Sequence, residues 1–210
     1  MKLISRFHTS PLNFKGEVFA ILLLVFSLTS CTFLIKKMYR VKKPKLENIE
    51  SLTKYLSKNK FDTSKLILLK DIVAFKQYLK INSDVPNAMF FNNMGEFVDY
   101  RKSPEDCNGK VSEFISSIEE INKVRNEKSL KLNEINQLLS KSIAEQGEIT
   151  IIITWVVYIG KLNKKKSFEW IKLIKEAQQK GVKINYYLLN CDILESWEGD
   201  FDDLKKTKMK

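Results

Sequence analysis

The chain alternates between unbroken apolar runs and stretches with helical spacing, and that order predicts most of its elements. "EITIIITWVVYIG", residues 148–160, is rich in β-branched and aromatic side chains with almost no polar interruption. A strand covered on both faces reads this way. "SFEWIKLIKEAQQKG" follows as an amphipathic helix over Phe168–Gln179, with Ser167 as its cap, Glu169 in the first turn and Gly181 as its stop. "VKINYYLLNCD" is a second strand. Strand, helix and strand in this spacing predict a βαβ crossover, with Ile151–Thr154 and Tyr186–Leu189 as adjacent parallel strands.

Upstream, "SKLILLKDIVAFKQYLKIN" gives a short strand, Leu66 to Leu69, and a helix capped by Asp71 with Ile72, Phe75 and Leu79 inward. "VPNAMFFNNMGEFVDYR" predicts a hairpin of Ala88–Phe91 and Glu96–Tyr100 around Asn92-Asn93-Met94-Gly95, where Gly and Asn supply the positive φ. Val111, Phe114, Ile115, Ile118 and Ile121 form one helical stripe, and Leu132, Ile135, Leu139 and Ile143 form another. The expected fold is α/β, a mixed sheet of about five strands with flanking helices, after an N-terminal signal or anchor segment.

That N-terminal segment carries its own question. The run from Val18 to Ile35 has no charge and, as a helix, would reach about 27 Å, close to a hydrocarbon core of roughly 30 Å. Lys2, Arg6 and Lys15 precede it as the basic end of a signal peptide. Its end, Leu28-Thr29-Ser30-Cys31, resembles the lipobox of bacterial lipoproteins: an apolar residue, two small ones, then the cysteine that is lipidated and becomes the new N-terminus. The resemblance implies cleavage before Cys31, a membrane lipid attached there, and a domain at the periplasmic face. Two alternatives stay open: an uncleaved anchor with an exported domain, and a single-pass anchor facing the cytoplasm. The second draws on the basic flank Lys36–Lys45. The resulting division is 1–30 signal peptide (or anchor to 35), 31–59 lipidated cysteine and basic linker, 60–198 α/β domain, and 199–210 charged tail.

Charge narrows the partners. Of the formal net charge of +11, residues 1–45 hold nine Lys/Arg against the single Glu17, a net of +8 that leaves +3 for the rest. The excess belongs beside the membrane, where each base gains roughly 1 kcal/mol from anionic headgroups. The near-neutral domain carries no nucleic-acid footprint. The only histidine, His8, lies in the signal region, so the mature chain is expected to hold no histidine base and no histidine metal site. No cofactor is expected. Glu119-Glu120 and Asp202-Asp203 read as solvated charges, and Trp155, Trp170 and Trp197 as packing residues. The lysine-rich segment before Ser167 reads as an exposed basic loop, with an anion site at the helix start as the lesser alternative.

The block from Ile149 to Asp192 resembles the βαβ unit of thioredoxin-like proteins, especially membrane-tethered thiol–disulfide oxidoreductases. Trp155 stands at the strand end, the helix follows, and Asn190-Cys191-Asp192 closes the second strand. The hairpin led by Pro86, with Gly95 at its turn, is similar to that family's proline-led hairpin, but it precedes the βαβ block, as in a circular permutation. Pro86 corresponds to the family's cis-proline. The redox loop is replaced by "VVYIGKLNKK", which has no cysteine. A thioredoxin needs one thiol acidified at a helix start and a second to resolve the mixed disulfide. The expectation is therefore a non-catalytic, membrane-tethered binding or assembly module with an unidentified protein partner. Its rival is a thiol-dependent redox protein using Cys107 and Cys191, which form the candidate disulfide pair once Cys31 is lipidated.

Overall fold

In a computed structural model the described residues are 36–101, 110–124, 129–144 and 147–197, with 199. The chain divides into a unit of Met1–Arg40 and a unit of Val41–Lys210. Of the first, only residues 36–40 are described, so the Val18–Ile35 run and Cys31 lie outside the description. Among the described residues no helix is long and apolar enough to cross a membrane.

The second unit is built on one five-stranded mixed sheet. Its elements in chain order are α1 (Ile49–Lys58), β1 (Leu66–Leu68), α2 (Ile72–Ile81), β2 (Asn87–Phe91), β3 (Phe97–Val98), α3 (Val111–Ser116), α4 (Leu132–Asn136), β4 (Ile149–Trp155), α5 (Lys161–Lys165), α6 (Ser167–Gln179) and β5 (Ile184–Asn190). The strand order is β1-β5-β4-β2-β3. β1, β5 and β4 run parallel, and β2 lies antiparallel to both β4 and β3. The expected crossover is present: Ile151 pairs with Tyr186 and Thr154 with Leu189, with α6 between the strands in sequence.

Every residue of β4 is buried, as its uninterrupted apolar pattern requires. Full burial of each isoleucine there contributes roughly 1.5–3 kcal/mol against exposure. α6 turns Phe168, Trp170, Ile171, Ile174 and Ala177 inward. It ends where Val182 N–H donates to Ala177 O and Gly181 N–H to Gln178 O, a Schellman closure that sets Gly181 at φ +92°. Its start differs from expectation. Ser167 is a buried residue inside the helix; Lys166, at φ −128° and ψ −89°, breaks the chain between α5 and α6 and makes no side-chain cap bond.

Three other elements depart from the apolar pattern for identifiable reasons. In α2 the Asp71 carboxylate accepts from Ala74 N–H at 2.7 Å as expected, but Tyr78 takes the inner face and Leu79 is 36% exposed. The Tyr78 ring fills more of the sheet face, and its hydroxyl donates to Met89 Sδ at 3.4 Å while accepting from Asn82. The stripe from Val111 to Ile121 is buried except for half-buried Phe114, yet Ser117 turns the helix into a 3₁₀ segment, Ile118–Lys123. The second stripe holds only the short α4. The Asn136 side chain donates to Ile143 O and accepts from Ile143 N–H, both at 2.9 Å, so the chain folds back instead of continuing as helix.

The hairpin forms with Gly95 at φ +74°; the asparagines contribute differently from expectation. Asn92 Oδ1 accepts from Met94 N–H and Glu96 N–H, both at 3.0 Å, a side-chain mimic of the turn. The Val85–Pro86 peptide ahead of it is cis.

Residues 49–58, expected within a basic linker, form α1. Its capping box joins Asn48 and Ser51, and Leu52 and Leu56 are fully buried. Apart from Gly199, the tail beyond Trp197 is outside the described residues.

Candidate functional site at the carboxyl ends of the parallel strands

β1, β5 and β4 all end on one side of the sheet, which is where open α/β sheets place their ligand crevices. Two segments leave from there. After β4 come Val156 and a 3₁₀ turn, Val157–Ile159, closed by Gly160 at φ +58°. After β5 come Cys191, Asp192 and Ile193, with Cys191 N–H donating to Trp155 O at 3.0 Å to extend the ladder by one bond.

Asp192 joins the two segments. Its Oδ2 accepts from Val157 N–H at 2.7 Å and from Asn190 Nδ2 at 2.8 Å, while its own N–H donates to Asn190 Oδ1 at 3.1 Å. The carboxylate thus fixes the start of the 3₁₀ turn, where N–H groups lack backbone acceptors. Burial holds its pKa above the usual carboxylate range; the bonds from Asn190 and Val157 pull the other way, and Glu47 adds to the rise while Lys45 opposes it.

A third wall comes from the chain ahead of α1. Lys42 N–H donates to Tyr158 O at 2.8 Å, Glu47 N–H to Ile193 O at 2.9 Å, and Glu195 N–H to Glu47 O at 2.9 Å, so residues 42–47 run along the site as an added edge. Glu47 is buried there. Its Oε2 accepts the Ser51 hydroxyl at 2.6 Å, and its Oε1 lies 3.4 Å from Lys45 Nζ. Between this edge, Phe75 of α2, Tyr158 and residues 191–193 opens a cleft of about 390 Å³. Burial raises the Tyr158 hydroxyl pKa, with Asp192 and Cys191 adding to the shift.

Behind the cleft the strand end is locked in aromatic packing. Trp155 stacks on Tyr55 with ring centroids 5.3 Å apart. Asn163 Nδ2 donates to Tyr55 Oη at 3.0 Å and to Val156 O at 2.7 Å. Trp155 Nε1 and Asn163 Oδ1 are buried with no hydrogen-bond partner among the described residues. On the antiparallel side, Thr154 Oγ1 accepts from Asn87 N–H at 2.9 Å.

The sequence-derived residues distribute unevenly over this geometry. Cys191 lines the cleft as a buried free thiol, its pKa raised well above the ordinary thiol value by burial and then by Asp192. Cys107 and Cys31 lie outside the described residues, as do His8 and the Asp202-Asp203 pair. At the helix start the Ser167 side chain is buried, its hydroxyl donates to Thr154 O at 3.4 Å, and α5 leads directly into the helix. Trp155, Trp170 and Trp197 are all core residues. Among the described residues no group of three or more acidic, Cys or His side chains is placed to hold a metal ion. Tyr158, Glu47 and Phe75 were not legible as site residues. They come from three distant segments, and the one local signal was Asp192 at the end of an apolar strand. No protein-family model, curated protein or solved structure matches the chain.

Proposed function

We propose that the chain is a non-catalytic, thioredoxin-like binding or assembly module, tethered through a lipid on Cys31 to the periplasmic face of an envelope membrane. The strand order β1-β5-β4-β2-β3, with three parallel strands flanked by an antiparallel hairpin, supports the fold part of this reading. This order is compatible with a thioredoxin-like arrangement in which the hairpin precedes the βαβ unit in sequence. The observation that carries the functional part is the end of β4. Where the redox family keeps its thiol pair, residues 156–166 hold no cysteine, and the nearby thiol of Cys191 is buried and disfavoured as a thiolate.

The rival redox reading needs Cys191 to exchange with Cys107, and a thiol this shielded is a poor nucleophile. Two measurements test the proposal. The purified full-length chain in detergent should fail to reduce a model disulfide at a useful rate. Dithiol-dependent turnover that disappears in a Cys107→Ser, Cys191→Ser double variant would overturn the non-catalytic reading. Intact-mass measurement should show loss of Met1–Ser30 and a gain of acyl mass, both abolished by Cys31→Ala. A wild-type chain that keeps Met1 and carries no acyl group would overturn the lipoprotein reading and leave an uncleaved anchor, with its domain either exported or, as the basic flank of Lys36–Lys45 favours, facing the cytoplasm.

A further inference from the structure

We infer that the cleft between Phe75, Tyr158 and Asp192 is a binding site for a small organic cation, a primary ammonium group on a short apolar stem. This rests on the binding-module reading and names the chemistry of its ligand.

The charges around the cleft do not cancel. Lys45 and Glu47 pair with each other, with the Lys45 side chain 69% exposed at the rim. Asp192 receives only neutral donors, and among the described residues no Lys or Arg forms an ion pair with it. Both of its hydrogen bonds fall on Oδ2, so Oδ1 keeps its acceptor capacity. Lys45 and Glu47 act on Asp192 with opposite signs and neither bonds to it. A carboxylate this buried with no direct ion pair is costly, and breaks even only when an opposite charge is brought to it in good geometry. An ammonium group from a ligand supplies that charge; a phosphate or carboxylate ligand would deepen the imbalance.

The walls suit the rest of such a molecule. Phe75 and Tyr158 are the aromatic residues lining the cleft, and an aromatic ring attracts a cation by about 0.5–2 kcal/mol depending on desolvation. Leu46 and Ile193 supply apolar surface for a stem. The volume, about 390 Å³, lies within the roughly 300–1,000 Å³ typical of small-molecule clefts. The site is also anchored on both sides by backbone bonds from Lys42 and Glu47, so its shape is preformed.

The test is calorimetric titration of the full-length chain in detergent with n-butylammonium, n-butanol and butyrate at pH 7. Butylammonium should bind saturably, and the alcohol and the acid should not. Asp192→Asn should weaken binding at least tenfold, and Tyr158→Leu, which leaves the carboxylate in place, should weaken it severalfold. A far-ultraviolet spectrum and a melting curve establish that each variant is folded. Absence of saturable butylammonium binding to the wild-type chain, equal binding of butanol or butyrate, or unchanged affinity in folded Asp192→Asn would each overturn the inference. Disulfide-reduction activity is measured separately, so failure of this site and failure of the non-catalytic reading give different results.

Discussion

Asp192 offers the sharpest test of how the site is held, because two substitutions separate its hydrogen bonds from its charge. Asp192→Ala deprives Val157 N–H and Asn190 Nδ2 of their acceptor. Each unsatisfied donor costs about 1–3 kcal/mol, partly offset by removing a buried carboxylate, for a net loss of about 2 kcal/mol. In a domain of this size that lowers Tm by about 4–8 °C. Asp192→Asn keeps an oxygen where Oδ2 stands and cannot ionise. The folded-state pKa of Asp192 is raised by burial, so the folded protein holds that proton more tightly than the unfolded chain. Its stabilising contribution is complete below the unfolded value, about pH 4, and is lost as pH rises through the folded value. Asn does not titrate, so the melting temperature of Asp192→Asn relative to wild type should climb from pH 4 upward and then level off. Thermal melts of the three proteins from pH 4 to 8 read both effects. Equal stability of the Ala and Asn variants, or an Asn-minus-wild-type difference in melting temperature that falls as pH rises, would refute the reasoning.

Three further outcomes are expected. Asn136→Ala removes both partners of Ile143's backbone groups and should destabilise by about 2–4 kcal/mol in urea melts, with the m-value unchanged. Gly181→Ala meets no atom within 4 Å of its new Cβ, so its loss of about 1–2 kcal/mol comes from the left-handed backbone alone, and Gly181→Asn should recover part of it. Cys191 in reduced protein should resist iodoacetamide at pH 8, by peptide mapping, until denaturant unfolds the chain; alkylation at the rate of a free thiol would contradict its burial and raised pKa.

The parts of the fold legible in sequence are those where one pattern has one reading. β4 is continuously apolar because both its faces are covered, and α6 shows a single stripe because only one face meets the sheet. Where a side chain intervenes in the backbone, the apolar pattern misleads. Leu132, Ile135, Leu139 and Ile143 keep helical spacing and are all buried, yet Asn136 bends the chain between them. α1 is masked for another reason: its lysines and those before it read as one solvated stretch, while Leu52, Tyr55 and Leu56 carry its contact with the core. The cleft was the least legible feature. Its walls meet only through tertiary packing, and no spacing in the chain announces that Lys45, Phe75, Tyr158 and Asp192 are neighbours.

The position of β5 has a consequence for the order in which the molecule is made. It is the last strand among the described residues and lies between β1 and β4, with Leu188 beside both Leu66 and Ile153. Until it is in place, β1 has no neighbour within the sheet, and the β2–β3–β4 portion ends on the open edge of β4, every residue of which is buried in the finished sheet. High contact order of this kind slows folding, because loop closure precedes the contacts that repay it. A nascent chain therefore carries an unpaired, aggregation-prone edge until β5 emerges, which is the interval in which a holding chaperone would have something to bind. Pulse-labelling hydrogen exchange would reveal it as late protection of β1 together with β5, after the β2–β4 ladder has formed. Simultaneous protection of all five strands would show instead that the sheet closes in one step.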